Sequence, residues 1–236
     1  MPQTVDANAE RITDGSGRTR DGRALGYAVV LGLLILSYGL CAAQPHTDPS
    51  PWAFLAMLAT VAIVFAVTRA QLLVQRISWV VLSVAGAAAV IATLLGVDGP
   101  MLAIPLSAAS MIALLVAPAV IIAHQVTRRG LNLEALLAAV TAYILVGMFF
   151  AFVYNLISQI SPTLMFGTET PDSLGNQLFF SFTALTTTGY GNLVPVGAGG
   201  QGLAIAEGIT GQFFLITAVA RIIRGASAKR DAPAPA

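Results

Sequence analysis

Apolar runs fall at about residues 24–43, 52–68, 77–97, 101–123, 133–158 and 200–220. Most reach the roughly 20 residues that carry a helix across a bilayer. Inside a bilayer no water satisfies the peptide groups, and a helix closes its hydrogen bonds within one segment. The expectation is an all-α membrane protein with six transmembrane helices. At 56% hydrophobic and 10% charged, the chain is too apolar for an ordinary soluble domain.

Charge orients these runs. All twelve basic residues lie in four places: Arg11, Arg18, Arg20 and Arg23; Arg69 and Arg76; Arg128 and Arg129; Arg221, Arg224, Lys229 and Arg230. The first, third and fifth connections hold none. By the positive-inside rule both termini are expected in the cytoplasm, and the last loop opens outside. A plasma membrane, of the bacterial inner-membrane kind, is the expected location, with membrane lipids as neighbours. The basic residues mark topology and form no patch with interleaved aromatics, so nucleic acid is not an expected partner. Trp52 and Trp79 sit at run ends, where amphipathic rings prefer the headgroup zone.

Between the fifth and sixth runs lies Thr186-Thr187-Thr188-Gly189-Tyr190-Gly191-Asn192. Stripping water from a monovalent cation requires replacement oxygens on all sides. The carbonyls of Thr187, Thr188, Gly189 and Tyr190, with the Thr187 hydroxyl, supply them without a counter-charge that would trap the ion. A strand whose carbonyls all turn one way visits φ values closed to most residues with a Cβ, and Gly189 and Gly191 fit that need. One chain offers one such strand, so a ring needs several copies.

Thr-Thr-Gly-Tyr-Gly, residues 187 to 191, resembles the selectivity-filter signature Thr-Val-Gly-Tyr-Gly of potassium channels. Phe179 to Leu185 resembles that family's pore helix, and the likeness covers roughly residues 133 to 225. It implies a homotetrameric pore with K+ held at Thr187, Thr188, Gly189 and Tyr190, passive conduction, and no cofactor beyond the ions. Thr183, Thr186, Asn192 and Glu207 are then expected filter supports. Gly211, with Gly208, stands where related channels place a gating hinge; close helix packing explains the same glycines equally well. Thr188 replaces the family's usual valine. Asn192 replaces an aspartate that anchors the filter and attracts cations, a loss partly offset by Glu169 and Asp172.

Six spans with a pore between the last two also resemble voltage-gated channels. Moving an elementary charge through the membrane is worth about 2.3 kcal/mol per 100 mV. The fourth run, Met101–Ala123, has no Lys or Arg to move, so steep voltage gating is not expected. Pro105 and Pro118 are expected to kink it. Glu207 is the one acid well inside a span, Glu134 lying at a span's start. A carboxyl there is costly enough to imply a function. It is expected to hydrogen-bond at the back of the filter or on the pore helix, to Thr183 or Thr188, in charged or protonated form.

The expected organisation is a disordered cytoplasmic tail (1–22) and a four-helix membrane domain without gating charges (23–126). A pore domain of outer helix, pore helix, filter and inner helix (127–224) and a short cytoplasmic tail (225–236) follow. The last is too short for a regulatory domain. The pore helix should start at Pro171-Asp172-Ser173, capped by Asp172 or Ser173, and aim its C-terminal dipole at a central cavity. Leu40 to Gln44 has the small residues of a signal-peptide cleavage site. The run is long for a signal core and its leading residues are not clearly basic, so a retained helix is expected. Cys41 alone forms no intrachain disulfide or thiolate metal site. His46 and His124 belong to no ligand cluster, and no segment combines a nucleophile, a base and an orienting group, so an enzyme is not expected. Two other readings stay open: a weakly selective cation channel, against which Tyr190 argues, and a non-conducting sensor or scaffold subunit that keeps the pore fold.

Overall fold

The computed structural model describes residues 133–167 and 170–230. Before them it describes 26, 28–39, 59–64, 66, 76, 79, 80, 83, 84, 87, 108, 110–119 and 121; side chains at 133, 134, 219 and 221–230 are not described. The described residues before 133 are all helical, and all but Arg76 lie inside the first four apolar runs. Expectations resting on the N-terminal tail, Cys41, His46, Trp52, Pro105, His124, Glu169, the Arg221 and Arg224 side chains and residues 231–236 lie outside the described residues.

Three complete helices follow: α1 (Leu133–Ile160), α2 (Leu174–Leu185) and α3 (Ala198–Arg230). Helix α1 is rich in Ala, Leu and Phe, contains no proline, and buries Ala138, Ala142, Leu145, Met148 and Phe152 at helical spacing. Among the described residues it supplies the one stretch both long and apolar enough to cross a membrane, Ala135–Ile160. The helices Ala28–Gly39 and Ser110–Ala119 are apolar but shorter. Six spans therefore remain an expectation. Helix α3 exceeds a span in length but dilutes its apolar residues with glycine, Gln201, Glu207 and Gln212. It also runs to Arg230, six residues past the expected end at 224. Ala226, Ala228, Lys229 and Arg230 favour a helix, and the next proline is Pro233.

Helix α2 begins where Ser173, in extended conformation (φ −93°, ψ 151°), accepts a hydrogen bond on Oγ from the Asn176 amide at 3.2 Å. Of the two expected caps, Ser173 takes the role. Asp172 instead accepts from the Met165 amide at 2.8 and 3.1 Å, tying the outer loop to the helix start.

Two apolar clusters hold these helices. One joins Leu34, Val61 and Leu114 from the earlier helices to Leu145 of α1 and Leu178 of α2. Phe182 packs against it, edge-on to Tyr38 with ring centroids 5.5 Å apart. The other gathers Phe150, Tyr154, Met165, Phe166, Phe180 and Leu193, so the loops before α2 and before α3 pack onto α1 and α2. The Val196 amide donates to the Met165 carbonyl across these loops at 2.9 Å.

Helix α3 shows two faces. One carries Gly200, Glu207 and Gly211 inward, and the other leaves Ile205, Ile209, Phe213 and Ile216 exposed. At Gly211 the backbones meet, and a Cβ would collide with the Leu185 carbonyl oxygen. Gly208 stands beside the Ala184 carbonyl, 3.6 Å from where its Cβ would be. Close packing is thus a sufficient reason for Gly211, whatever its part in bending. Gly211→Ala should lower stability by about 1–3 kcal/mol through overpacking, measured as a lower melting temperature of the purified protein; a purely hinge-like residue would leave melting unchanged.

Candidate functional site

The loop after α2 is held by its own hydrogen bonds. The Thr186 amide donates to Phe182 O at 3.1 Å and that of Thr187 to Ala184 O at 2.9 Å. The Thr188 and Gly189 amides both donate to Thr183 O, at 2.8 and 3.2 Å. Thr183 therefore holds this segment through its carbonyl, and its hydroxyl turns back to Phe180 O. These amides cover carbonyls at the end of α2 that an exposed helix dipole would have left bare. The Leu185 carbonyl accepts instead from the Tyr143 hydroxyl at 3.2 Å.

Backbone signs alternate along the strand. Thr187, Gly189 and Gly191 have positive φ (56°, 52° and 81°), whereas Thr188 and Tyr190 do not. The glycines occupy the positions where that conformation was expected of them; Thr187, a β-branched residue, joins them. Thr186 Oγ1 donates to Phe182 O at 2.7 Å, which leaves Thr188 as the donor in the 2.8 Å contact between the Thr186 and Thr188 hydroxyls. Residues 186–192 are all exposed on the single chain. Tyr190 stacks on Phe179 at 5.9 Å. Asn192, an expected filter support, makes no hydrogen bond among the described residues.

Glu207 is fully buried where all three helices meet. The expected partners were Thr183 or Thr188. The observed ones are Tyr154 of α1, whose hydroxyl donates to Oε2 at 2.7 Å, and Ser181 of α2, whose Oγ is 2.5 Å from Oε1. One turn before Gly211, the carboxyl lies level with mid-α2, so it reaches α2 and not residues 186–192. Ser181 Oγ also lies 2.7 Å from the Gly147 carbonyl. A hydroxyl has one proton, so both short contacts become hydrogen bonds together only when the group at 207 supplies a hydrogen of its own.

Residues 139–227 match a family of ion channels. The match spans most of α1, all of α2, the glycine-bearing strand and nearly all of α3. It supports an ion channel. No curated protein and no solved structure matches the chain.

Within the channel segment, a second polar cluster had no herald in the sequence. Asn155 Nδ2 donates to Gln177 Oε1 at 2.8 Å, and Gln159 Nε2 donates to Asn155 Oδ1 at 2.5 Å. Gln177 Nε2 in turn donates to Ser158 Oγ at 2.8 Å. It bolts the C-terminal end of α1 to the first half of α2. Single Asn and Gln residues in apolar helices are a weak signal of such partners. Tyr154 and Gly147, whose Cβ would lie 2.9 Å from the Phe182 ring, were likewise silent.

The two-sided bonding of Glu207 separates shape from charge. Glu207→Gln, able to donate to Ser181 and accept from Tyr154, should keep parental thermal stability. Glu207→Ala strands the buried Tyr154 hydroxyl, while Ser181 keeps the Gly147 carbonyl, and should cost about 1–3 kcal/mol, both read from thermal melts in the same detergent.

Proposed function

We propose that the chain is one subunit of a homotetrameric, potassium-selective channel that conducts passively and without steep voltage dependence. The observation that carries this reading is the alternation of left-handed residues at 187, 189 and 191 in an exposed strand. That alternation is how a backbone turns successive carbonyls to one side, and a ring of such strands replaces a cation's hydration shell.

The strand's exposure supports more than one copy. Irregular backbone at membrane depth is tolerated only where protein or a water-filled cavity covers it. The apolar residues Ile205, Ile209, Phe213 and Ile216 share that uncovered side. Neighbouring copies would bury the outer part of the strand and leave its carbonyls on a shared axis. Weak voltage dependence follows from the absence of Lys and Arg between Met101 and Ala123. On this reading Thr187 to Gly191 form the filter, and α2 with Thr183, Thr186 and Glu207 supports it.

The reading is tested in planar bilayers holding the purified full chain under opposed potassium and sodium gradients. A reversal potential near the potassium equilibrium value, with open probability nearly flat in voltage, is expected. Reversal near zero would replace it with a weakly selective cation channel, and absence of current with a non-conducting subunit. Asn192→Asp restores one negative charge per subunit at the outer mouth. It should raise conductance at low ionic strength, with the gain fading toward 1 M salt as the Debye length shrinks to about 3 Å; titrating salt at a fixed potassium fraction reads this directly.

A further inference from the structure

Thr187 is the one non-glycine with positive φ among the described residues. Such a conformation is a strain for a β-branched side chain and persists only where its surroundings hold it. Two of the restraints are local: its amide donates to Ala184 O, and its hydroxyl donates to Thr186 O at 2.7 Å. The third comes from another helix. Gln212 Nε2 donates to Thr187 Oγ1 at 3.1 Å, across 25 residues of sequence.

The reach is short because α3 is pressed against the end of α2. Gly211 admits no Cβ beside the Leu185 carbonyl, and a Cβ on Gly208 would lie 3.9 Å from the Thr187 γ-methyl. Below the strand opens a hollow of about 430 Å³. Its walls are Ile205, Ile209, Phe213 and Ile216, and the two polar side chains on its lining are Thr187 and Gln212. They are hydrogen-bonded to each other.

Resting on the channel reading, we infer that Gln212 is a positioning residue for the innermost cation site. With its proton committed to Thr186 O and one lone pair to Gln212, the Thr187 hydroxyl keeps one lone pair for an ion. Gln212 thereby fixes where that oxygen points. Because the donor sits on α3 beside Gly211, a sideways displacement of α3 breaks this bond first and releases the oxygen. The innermost site and the position of the inner helix are coupled through one amide.

The test uses the full-length chain in bilayers, comparing potassium-to-sodium permeability ratios and thermal melts. Gln212→Leu keeps the side chain's bulk and removes the donor. The ratio should fall about fivefold, the size of one net hydrogen bond, while melting stays parental because Gln212 is exposed. In a Thr187→Val background, which has no hydroxyl to hold, adding Gln212→Leu should change the ratio no further. An unchanged ratio in Gln212→Leu, or a further fivefold fall in the Thr187→Val background, overturns the inference and leaves the channel reading standing. A parental protein that passes no cation overturns both.

Discussion

A peptide group without a partner costs several kcal/mol in hydrocarbon, and this constraint organises the structure. Residues 186–196 form neither helix nor strand ladder. The amides of residues 186–189 fold back onto the carbonyls of Phe182, Thr183 and Ala184, so the end of α2 and the start of this segment satisfy each other. That arrangement is possible because α2 stops after twelve residues, capped by Ser173 and Thr186. A longer helix would consume those carbonyls and leave no acceptors for the loop. What stays uncovered lies on the side shared with the apolar face of α3.

The position of α2 then depends on polar anchors set in an apolar frame. Glu207 receives Tyr154 and meets Ser181, and the Asn155, Gln177, Ser158 and Gln159 cluster repeats the device nearer the outer end. Apolar contacts alone are non-directional and tolerate sliding, whereas these bonds fix the rotation of α2 about its axis. Rotation decides the exit direction of Thr187 to Gly191. The second apolar cluster closes the outer end by drawing Met165, Phe166 and Leu193 onto Phe180 and Tyr154.

The span of α1, the start of α2 at Asp172 or Ser173 and the left-handed glycines at 189 and 191 were legible beforehand, because each follows from local rules. Hydropathy and helix length set the first, side-chain capping the second, and the missing Cβ the last. Glu207 was also legible as a residue with a role, since an acid in an apolar run has few other reasons to exist. Its partners were not. Counting residues from the filter gave its depth but not the helical phase that turns it toward mid-α2. Gln212 escaped for the opposite reason: a neutral amide among apolar residues costs little, so only its contact with Thr187 distinguishes it.

What the sequence by itself determined is therefore the class of object: an apolar, helical chain with a glycine-bearing segment of left-handed residues between its last two runs. The physical reason is that spans, caps and glycine conformations depend on residues a few positions apart. The tertiary structure alone decided which groups meet across 25 or more residues: Tyr154 with Glu207, Ser181 with Gly147 and Glu207, Gln212 with Thr187. Those meetings depend on how closely helices approach and on their rotation, and Gly211, with no room for a Cβ beside the Leu185 carbonyl, marks how close that approach is.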